Sequence, residues 1–201
     1  MGREFAKIAF TDAVRAEQVA LGSRASYARV EAEGPEDRVL GPREAAYLAE
    51  QRSVYLATVN AMGWPYIQHR GGPAGFIRVL NEGRAIGFAD LAGNRQHVTL
   101  GNLRGEDRVS MIALDYLQRR RLKLLGHARL VTRAEDAALV DELAEAAQAK
   151  AGRALVIDIA GFDWNCPQHI PRLLPEEGVA ALYAKAEARI AELEAALAAK
   201  G

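Results

Sequence analysis

The spacing of apolar residues changes along this chain, and each change predicts a different kind of structure. Over residues 1–50, apolar positions recur at roughly helical spacing, and Thr11 or Asp12 can cap the first helix. A Gly-Pro-Glu-Asp cluster at 34–37 predicts a surface loop. Pro42, placed in a first turn, predicts a second helix that runs to about residue 50.

From residue 53 onward the period becomes that of β-strands. Short β-rich runs alternate with turns that contain Gly or Asn, such as Asn60-Ala61-Met62-Gly63. The predicted strands are 53–59, 64–70, 76–80, 84–89, 108–116, 121–131 and, after one more helix, 154–160. The first six strands are joined by short connections, which favours an antiparallel barrel over a sheet of βαβ units.

The remaining segments again have helical periodicity. Residues 134–150 carry apolar side chains on one helix face, and a loop with aromatic residues and prolines follows the last strand. From residue 175 to the end, Val179, Leu182, Ala186, Ile190, Leu193 and Leu197 follow one another in steps of three and four, as in a short coiled coil. The predicted division is a helical extension (1–50), a barrel domain (51–174) and a terminal helix (175–201).

Charge and cysteine content narrow the functional classes. The 26 basic and 26 acidic residues cancel, so the chain lacks the positive field of a non-specific nucleic-acid or membrane binder. The single Cys166 excludes an internal disulfide and favours a reducing compartment. Neither a signal peptide nor an apolar run of membrane-spanning length is recognised. We therefore expect a cytoplasmic protein with no nucleic-acid or membrane partner.

The turn after the fourth predicted strand carries the most informative chemistry. The strand ends at Asp90, and a Gly-Asn corner then delivers Asn94, Arg95 and Gln96 to the start of a helix. An Arg, two amide side chains and free backbone N–H groups form a suitable site for a phosphate group. The alternative interpretation is an ordinary solvated helix cap.

This segment, FADLAGNRQHVTLGNLRGEDRVSMIALDY, resembles the cofactor-phosphate corner of the FMN-binding split-barrel proteins, the pyridoxamine 5′-phosphate oxidase family. The resemblance implies a mainly β (α+β) split barrel with flanking helices, and FMN bound through its phosphate at Arg95. Better-known members have Lys where this chain has Gln96. Arg70, or one of Arg119-Arg120-Arg121, is expected to supply the missing positive charge.

The resemblance also implies the other residues of the site. The strand after the first hairpin contributes Gln68, His69 and Arg70, although a bulged strand with polar ends facing water fits the pattern too. Family members place a polar side chain on the flavin at the position of Arg121, often from the partner subunit. Trp164 and Arg172 correspond loosely to the Trp and Arg of family members that cover the partner subunit's flavin. The alternative for the segment that contains Trp164 and Arg172 is a loop at a dimer interface. The cofactor-binding residues implied are Gln68, His69, Arg70, Phe88, Ala89, Asp90, Asn94, Arg95, Gln96, Arg121 and Trp164.

The implied protein is a homodimer with FMN at the subunit interface, and an FMN-dependent oxidoreductase whose substrate and electron donor are open. The alternative is a non-catalytic flavin- or nucleotide-binding sensor or carrier. Flavin reductases, deazaflavin (F420) enzymes and haem-utilisation proteins are relatives of the same fold, and the sequence does not decide among them. No catalytic residue or metal site is assigned, because the four histidines lack the close spacing of metal ligands. Cys166 is either a redox thiol or a small buried apolar residue.

Overall fold

The computed structural model describes residues 1–164, 167–174 and 176–199. Its helices are α1 (Arg3–Ala9), α2 (Asp12–Ala20), α3 (Arg24–Glu33), α4 (Pro42–Glu50), α5 (Val98–Leu103), α6 (Ala137–Ala146) and α7 (Glu176–Ala198). Its strands are β1 (Ser53–Val59), β2 (Pro65–Gly71), β3 (Arg78–Leu80), β4 (Ala85–Ala89), β5 (Arg108–Asp115), β6 (Arg120–Thr132) and β7 (Arg153–Trp164). The α+β class and the seven predicted strands are confirmed.

The seven strands form one sheet in the order β2-β1-β5-β6-β7-β4-β3. Strand β1 pairs antiparallel with β2 and β5, and β7 pairs antiparallel with β4 and β6, as the short connections predict. Strand β3 pairs antiparallel with β4. The chain divides into two compact units. One comprises residues 1–114 and 121–166 and contains the barrel core; the other comprises residues 115–120 and 167–201 and contains α7. None of the helices in the described part of the chain is both long enough and apolar enough to cross a membrane.

Two groups of buried side chains hold the first unit together. The larger lies among β1, β4, β5, β6 and β7, with Leu56, Phe88 and Leu124 fully buried. The smaller packs α6 against β4 and β7 through Val140 and Leu143. Strand β4 is buried along its whole length, because it has one of these groups on each face. It therefore gives the loop that follows it a rigid base.

Strand β7 is longer than the sequence predicts, ending at Trp164 rather than near residue 160. The charged Asp163 interrupts the apolar pattern of the strand, so the sequence alone predicts a loop at this position. In the structure Asp163 is 2% exposed, directly opposite Lys123 on β6, whose Nζ lies 3.1 Å from its carboxylate. Lys123 supplies the countercharge that lets Asp163 remain in a buried strand position.

The prediction of a surface loop at 34–37 is wrong for Asp37. Its side chain is buried and accepts hydrogen bonds of 2.8 Å from the backbone N–H groups of Glu4 and Phe5. These are amides at the start of α1 that lack partners within the helix, so a remote carboxylate caps that helix. Helix α1 packs on β7 so closely that a Cβ on Gly161 would lie 2.7 Å from the Phe5 nitrogen.

Candidate functional site

Three segments of the first unit converge on a cavity of about 340 Å³. Strand β2 contributes one wall, the loop and helix start over residues 90–100 contribute the second, and residues 150–153 before β7 contribute the third. Small-molecule sites in proteins begin at roughly this volume. The predicted phosphate corner forms a wall of this cavity.

The alternation of side chains along β2 decides which predicted residues face the cavity. Tyr66, Gln68 and Arg70 line it. The intervening His69 is exposed and contacts the Tyr55 ring, with 5.7 Å between ring centroids. Because successive side chains of a strand point to opposite faces, His69 cannot share the wall that Gln68 and Arg70 form.

The carboxylate of Asp90 links two arginines at the base of the cavity. Arg70 Nη1 donates to Oδ1 at 3.1 Å, while Arg153 donates to Oδ2 from Nε at 3.1 Å and from Nη2 at 2.9 Å. The Asp90 side chain is only 5% exposed, so these charge-assisted bonds are shielded from water. The predicted cofactor residue Asp90 therefore orients the two cations that flank it.

Arg70 retains unused hydrogen-bonding capacity. Its side chain is 11% exposed, and among the described residues nothing accepts a hydrogen bond from its buried Nε. A buried donor without a partner is costly, of the order of 1–3 kcal/mol. Arg70 therefore places a nearly buried positive charge in the wall of the cavity, with only part of its hydrogen-bonding capacity used among the described residues.

The loop that leaves β4 is shaped by its own backbone. The Asn94 side-chain oxygen accepts a hydrogen bond from the Gln96 N–H at 3.2 Å, and Arg95 and His97 adopt left-handed φ angles of 61° and 54°. Left-handed residues so close together bend the chain sharply. The bend leaves the side chains of Asn94, Arg95 and Gln96 exposed at the rim of the cavity. Arg95 has no ion-pair partner among the described residues.

Two side-chain hydrogen bonds fasten α5 to the sheet. Thr99 Oγ1 donates to Gln68 Oε1 at 2.8 Å, and Asn102 Nδ2 donates to Thr58 Oγ1 at 2.9 Å. Both Thr99 and Asn102 are buried, so the end of the loop is fixed against β1 and β2. The oxygen of Gln68 is used in this way, which leaves its NH₂ group as the donor on the cavity side.

The charges that line the cavity do not balance. Arg70, Arg95, Lys150 and Arg153 contribute four positive charges and Asp90 one negative charge, so the lining carries a net charge of +3. The whole chain is neutral by formal count, which makes this local excess distinctive. A site with several cations and several neutral donors suits a dianionic phosphate group.

The other predicted residues lie elsewhere. Phe88 and Ala89 are buried in the core at the end of β4. Arg121 lies near the start of β6 and does not line the cavity, and its buried Nε lacks a hydrogen-bond partner among the described residues. Arg172 is exposed in the second unit. Asn165 and Cys166 lie outside the described residues.

Trp164 is held by residues of its own chain. Its indole Nε1 donates to Glu44 Oε1 at 2.7 Å, its ring meets Tyr47 edge-on at 4.7 Å, and the Arg43 guanidinium lies 4.4 Å from the ring centroid. These contacts fix the indole against α4. Arg119, the first residue of the basic run, also has partners, because it donates to the carbonyl oxygens of Ile170 and Pro167.

Sequence reasoning missed Lys150 and Arg153, two of the four cations around the cavity. Both lie at or just before the start of β7, about 55 residues after Arg95, and only the pairing of β4 with β7 brings this segment to the cavity. The sequence offered one signal for this contact: the acidic Asp90 follows one predicted strand, and the basic Arg153 precedes another. Within residues 1–164, 167–174 and 176–199, no group of three or more His, Cys, Asp or Glu residues is arranged to hold a metal ion.

Comparison with known proteins agrees with this architecture. A sequence model of pyridoxamine 5′-phosphate oxidase matches residues 40–178. HupZ from Group A Streptococcus superposes with a TM-score of 0.52 at 12% identity, covering 67% of this chain and 99% of that one. No curated protein matches the sequence.

Two further proteins of known structure are named for different cofactors. An FMN-binding protein from Syntrophomonas wolfei subsp. wolfei has a TM-score of 0.46 at 13% identity and covers 82% of this chain and 98% of its own. HutZ, the heme storage protein from Vibrio cholerae, has a TM-score of 0.42 at 17% identity and covers 62% and 94%.

Proposed function

The chain belongs to the pyridoxamine 5′-phosphate oxidase family, and from that premise we propose that it is a flavoprotein whose cavity holds the phosphate of FMN. The supporting observation is the convergence of four cations and one carboxylate on a single cavity. A phosphate monoester carries nearly two negative charges at neutral pH, so the net charge of +3 suits it.

The donors available fit the group. Arg95 at the rim and Arg70 at the base are the proposed charged contacts, and Arg70 Nε is a buried donor that lacks an acceptor among the described residues. Arg153 and Lys150 supply the charge that the substitution of Gln96 for the family's Lys removes. The amides of Asn94 and Gln68 are proposed as neutral donors. Asp90 orients Arg70 and Arg153 and is not itself a phosphate ligand, because a carboxylate would repel the phosphate.

We propose an oxidoreductase rather than a passive carrier. Flavins exchange electrons with organic partners, and that is the chemistry FMN would supply here. The residues of this chain bind and orient the cofactor, and no general acid or base is assigned. The electron donor and the substrate remain open, and a non-catalytic flavin-binding module is the competing function. A cytoplasmic location is part of the proposal, supported by a single cysteine in a chain of balanced charge.

We further propose that the functional unit is a homodimer. The outer face of β1 and β2 exposes apolar side chains, with Tyr55 41% and Ile67 66% exposed, and Trp64 beside the hairpin turn 70% exposed. Exposed apolar groups that cluster on one sheet face are typical of interaction surfaces. Arg121, whose Nε has no hydrogen-bond partner in the part of the chain that the structure describes, is the residue we propose to contact the partner's flavin. Trp164, in contrast, is held by α4 of its own chain.

The test is spectroscopic. Purified protein, or protein reconstituted with FMN and freed of excess by gel filtration, is expected to show the flavin absorption bands. Anaerobic NADH or NADPH is expected to bleach them faster than it bleaches free FMN. Retained FMN that neither nucleotide reduces would favour the carrier function. Failure to retain any FMN would contradict the flavoprotein proposal itself.

A further inference from the structure

Helix α7 carries an uninterrupted heptad pattern. Val179, Tyr183, Ala186, Ile190, Leu193 and Leu197 follow one another in steps of 4, 3, 4, 3 and 4 residues. In heptad notation, Tyr183, Ile190 and Leu197 occupy a positions and the other three occupy d positions. The pattern uses Tyr183 rather than Leu182, so its period is 3.5 residues, the spacing of a left-handed coiled coil.

Most side chains of this seam are exposed, and only Val179 among them is half-buried. Tyr183 is 68% exposed, Ile190 55%, Leu193 47% and Leu197 73%. A helix of 23 residues that leaves its apolar stripe in water forgoes most of the stabilisation that packing gives to helices. Large apolar side chains aligned along one exposed helix face indicate a partner.

The charges beside the seam indicate which partner fits. The e positions carry Glu187 and Glu194, and a g position carries Arg189. In a parallel pair of identical helices, each g residue meets the e residue five positions later on its partner, so Arg189 would face Glu194 of the other copy twice. In an antiparallel pair the e positions face one another, which would set Glu187 against Glu194.

We propose that α7 pairs in parallel with α7 of a second copy of this chain as a short two-stranded coiled coil. Ile190 at an a position followed by Leu193 at a d position is the combination that favours two parallel strands. This contact goes beyond the flavin function, since it uses none of the residues around the cavity. It holds two copies together through a segment separate from the outer face of β1 and β2.

Disulfide trapping tests the pairing in the full-length protein. Two cysteines can be bridged only when their Cα atoms come within about 7 Å, a distance that identical a positions of a parallel dimer satisfy. Replacing the native cysteine (Cys166→Ser) provides the background, and Leu197→Cys is the test variant. Ala195→Cys is the matched control, because position 195 is an f position on the outer side of the helix. Both positions are exposed, so neither substitution threatens folding.

Under mild oxidation, Leu197→Cys is expected to form a covalent dimer at least roughly tenfold faster than Ala195→Cys, because pairing raises the local thiol concentration to the millimolar range. Equal rates, or no covalent dimer, would overturn the proposal. A mixture of Tyr183→Cys and Leu193→Cys chains tests orientation, because an a position of one helix meets a d position of the other in an antiparallel pair. Preferential formation of the mixed dimer over the two same-residue dimers would refute the parallel arrangement.

Charge exchange gives a second readout on the same background. Arg189→Glu places like charges opposite one another and is expected to slow trapping through Leu197→Cys, while the double change Arg189→Glu with Glu194→Arg restores it. Arg189 also pairs with Glu192 of its own helix at 2.8 Å, so Glu192→Gln is the control for that bond. No rescue by the double change would contradict the Arg189–Glu194 contact. Trapping reports on α7 alone, so its outcome is independent of the FMN experiments.

Discussion

Asp90 and Arg153 are joined by three hydrogen bonds at the point where β4 ends beside the start of β7. The Asp90 N–H donates to the Arg153 carbonyl at 3.0 Å, and the Arg153 guanidinium donates twice to Asp90 Oδ2, at 3.1 and 2.9 Å. This junction fixes the point where the loop over residues 91–97 leaves the sheet. It also sets the position of one cation beside the cavity, so the strand pairing and the proposed phosphate site depend on the same contacts.

Removing the charge of Asp90 is expected to destabilise the fold. Asp90→Asn weakens bonds to Arg70 and Arg153 and leaves two guanidinium groups around a nearly buried, neutral side chain. We expect a loss of about 1–3 kcal/mol in the free energy of unfolding, measured by urea denaturation. Asp158→Asn is the control, because Asp158 is half exposed and lies 3.7 Å from Arg129 in a surface ion pair. Equal losses in the two variants would contradict the role given to Asp90.

Arg95 is expected to contribute to affinity and not to stability. Its guanidinium lies exposed at the cavity rim, and among the described residues no carboxylate pairs with it. Arg95→Ala should therefore leave the melting temperature unchanged and weaken FMN binding roughly tenfold or more, the value of one charge-assisted hydrogen bond. Arg104→Ala, at an exposed position just after α5, should bind FMN like the unmodified protein. Unchanged FMN affinity in Arg95→Ala would remove Arg95 from the phosphate site.

The proposed dimer face can be tested by introducing a single charged side chain into it. Ile67→Glu places a carboxylate in the centre of the outer face of β1 and β2, where a partner would bury it unpaired. This variant and its control are made in a chain that also carries Ile190→Glu, because the proposed α7 pairing would otherwise keep two copies together. Sedimentation velocity is then expected to show a shift from dimer to monomer for Ile67→Glu, with dissociation at least roughly tenfold easier. Val19→Glu is the matched control, since Val19 on α2 is 66% exposed, like Ile67. A dimer that tolerates Ile67→Glu as well as Val19→Glu would exclude this face.

Acid should weaken the N-terminal helices through Glu31. Hydrogen bonds from Arg24, and then from Arg15, hold the pKa of Glu31 below its usual value. A lowered folded-state pKa means that this stabilisation is complete above the unfolded-state pKa, roughly 4.3, and is lost as the pH falls through the folded-state value. Glu31→Gln is expected to lower the melting temperature by roughly 1–4 °C at pH 7.

That difference should shrink toward zero below about pH 4, because the carboxyl of the unmodified protein is then being protonated. The exposed Glu33 on the same helix supplies the control variant, Glu33→Gln, which is expected to leave the melting temperature at pH 7 unchanged. A Glu31→Gln effect of constant size from pH 7 to pH 3 would show that the charge of Glu31 is not responsible.

Local patterns predicted most of the elements. The alternation in Ser53–Val59 gives β1 with its observed bounds, and Pro42 marks the start of α4. The sequence pattern did not predict helices α1 and α3 as separate elements. Helix α3 buries none of its residues, so it has no apolar stripe to reveal it. The length of β7 depends on Lys123 opposite Asp163, a pairing that the local sequence does not contain.

Some residues of the candidate site could likewise be predicted from local sequence, and others could not. Arg95, Asn94 and Gln96 are consecutive, so a motif identifies them, and strand alternation separates Gln68 and Arg70 from His69. Lys150 and Arg153 come from a distant segment and reach the cavity only through the pairing of β4 with β7. The family resemblance did not identify these two residues either.

Comparing FMN with riboflavin by fluorescence titration of the same protein tests the central claim most directly, because the two ligands differ only in the phosphate. Two charge-assisted hydrogen bonds predict that FMN binds roughly a hundredfold or more tightly than riboflavin, and that Arg95→Ala removes much of this difference. Equal affinities for FMN and riboflavin, or no binding of either, would contradict a phosphate site in the cavity.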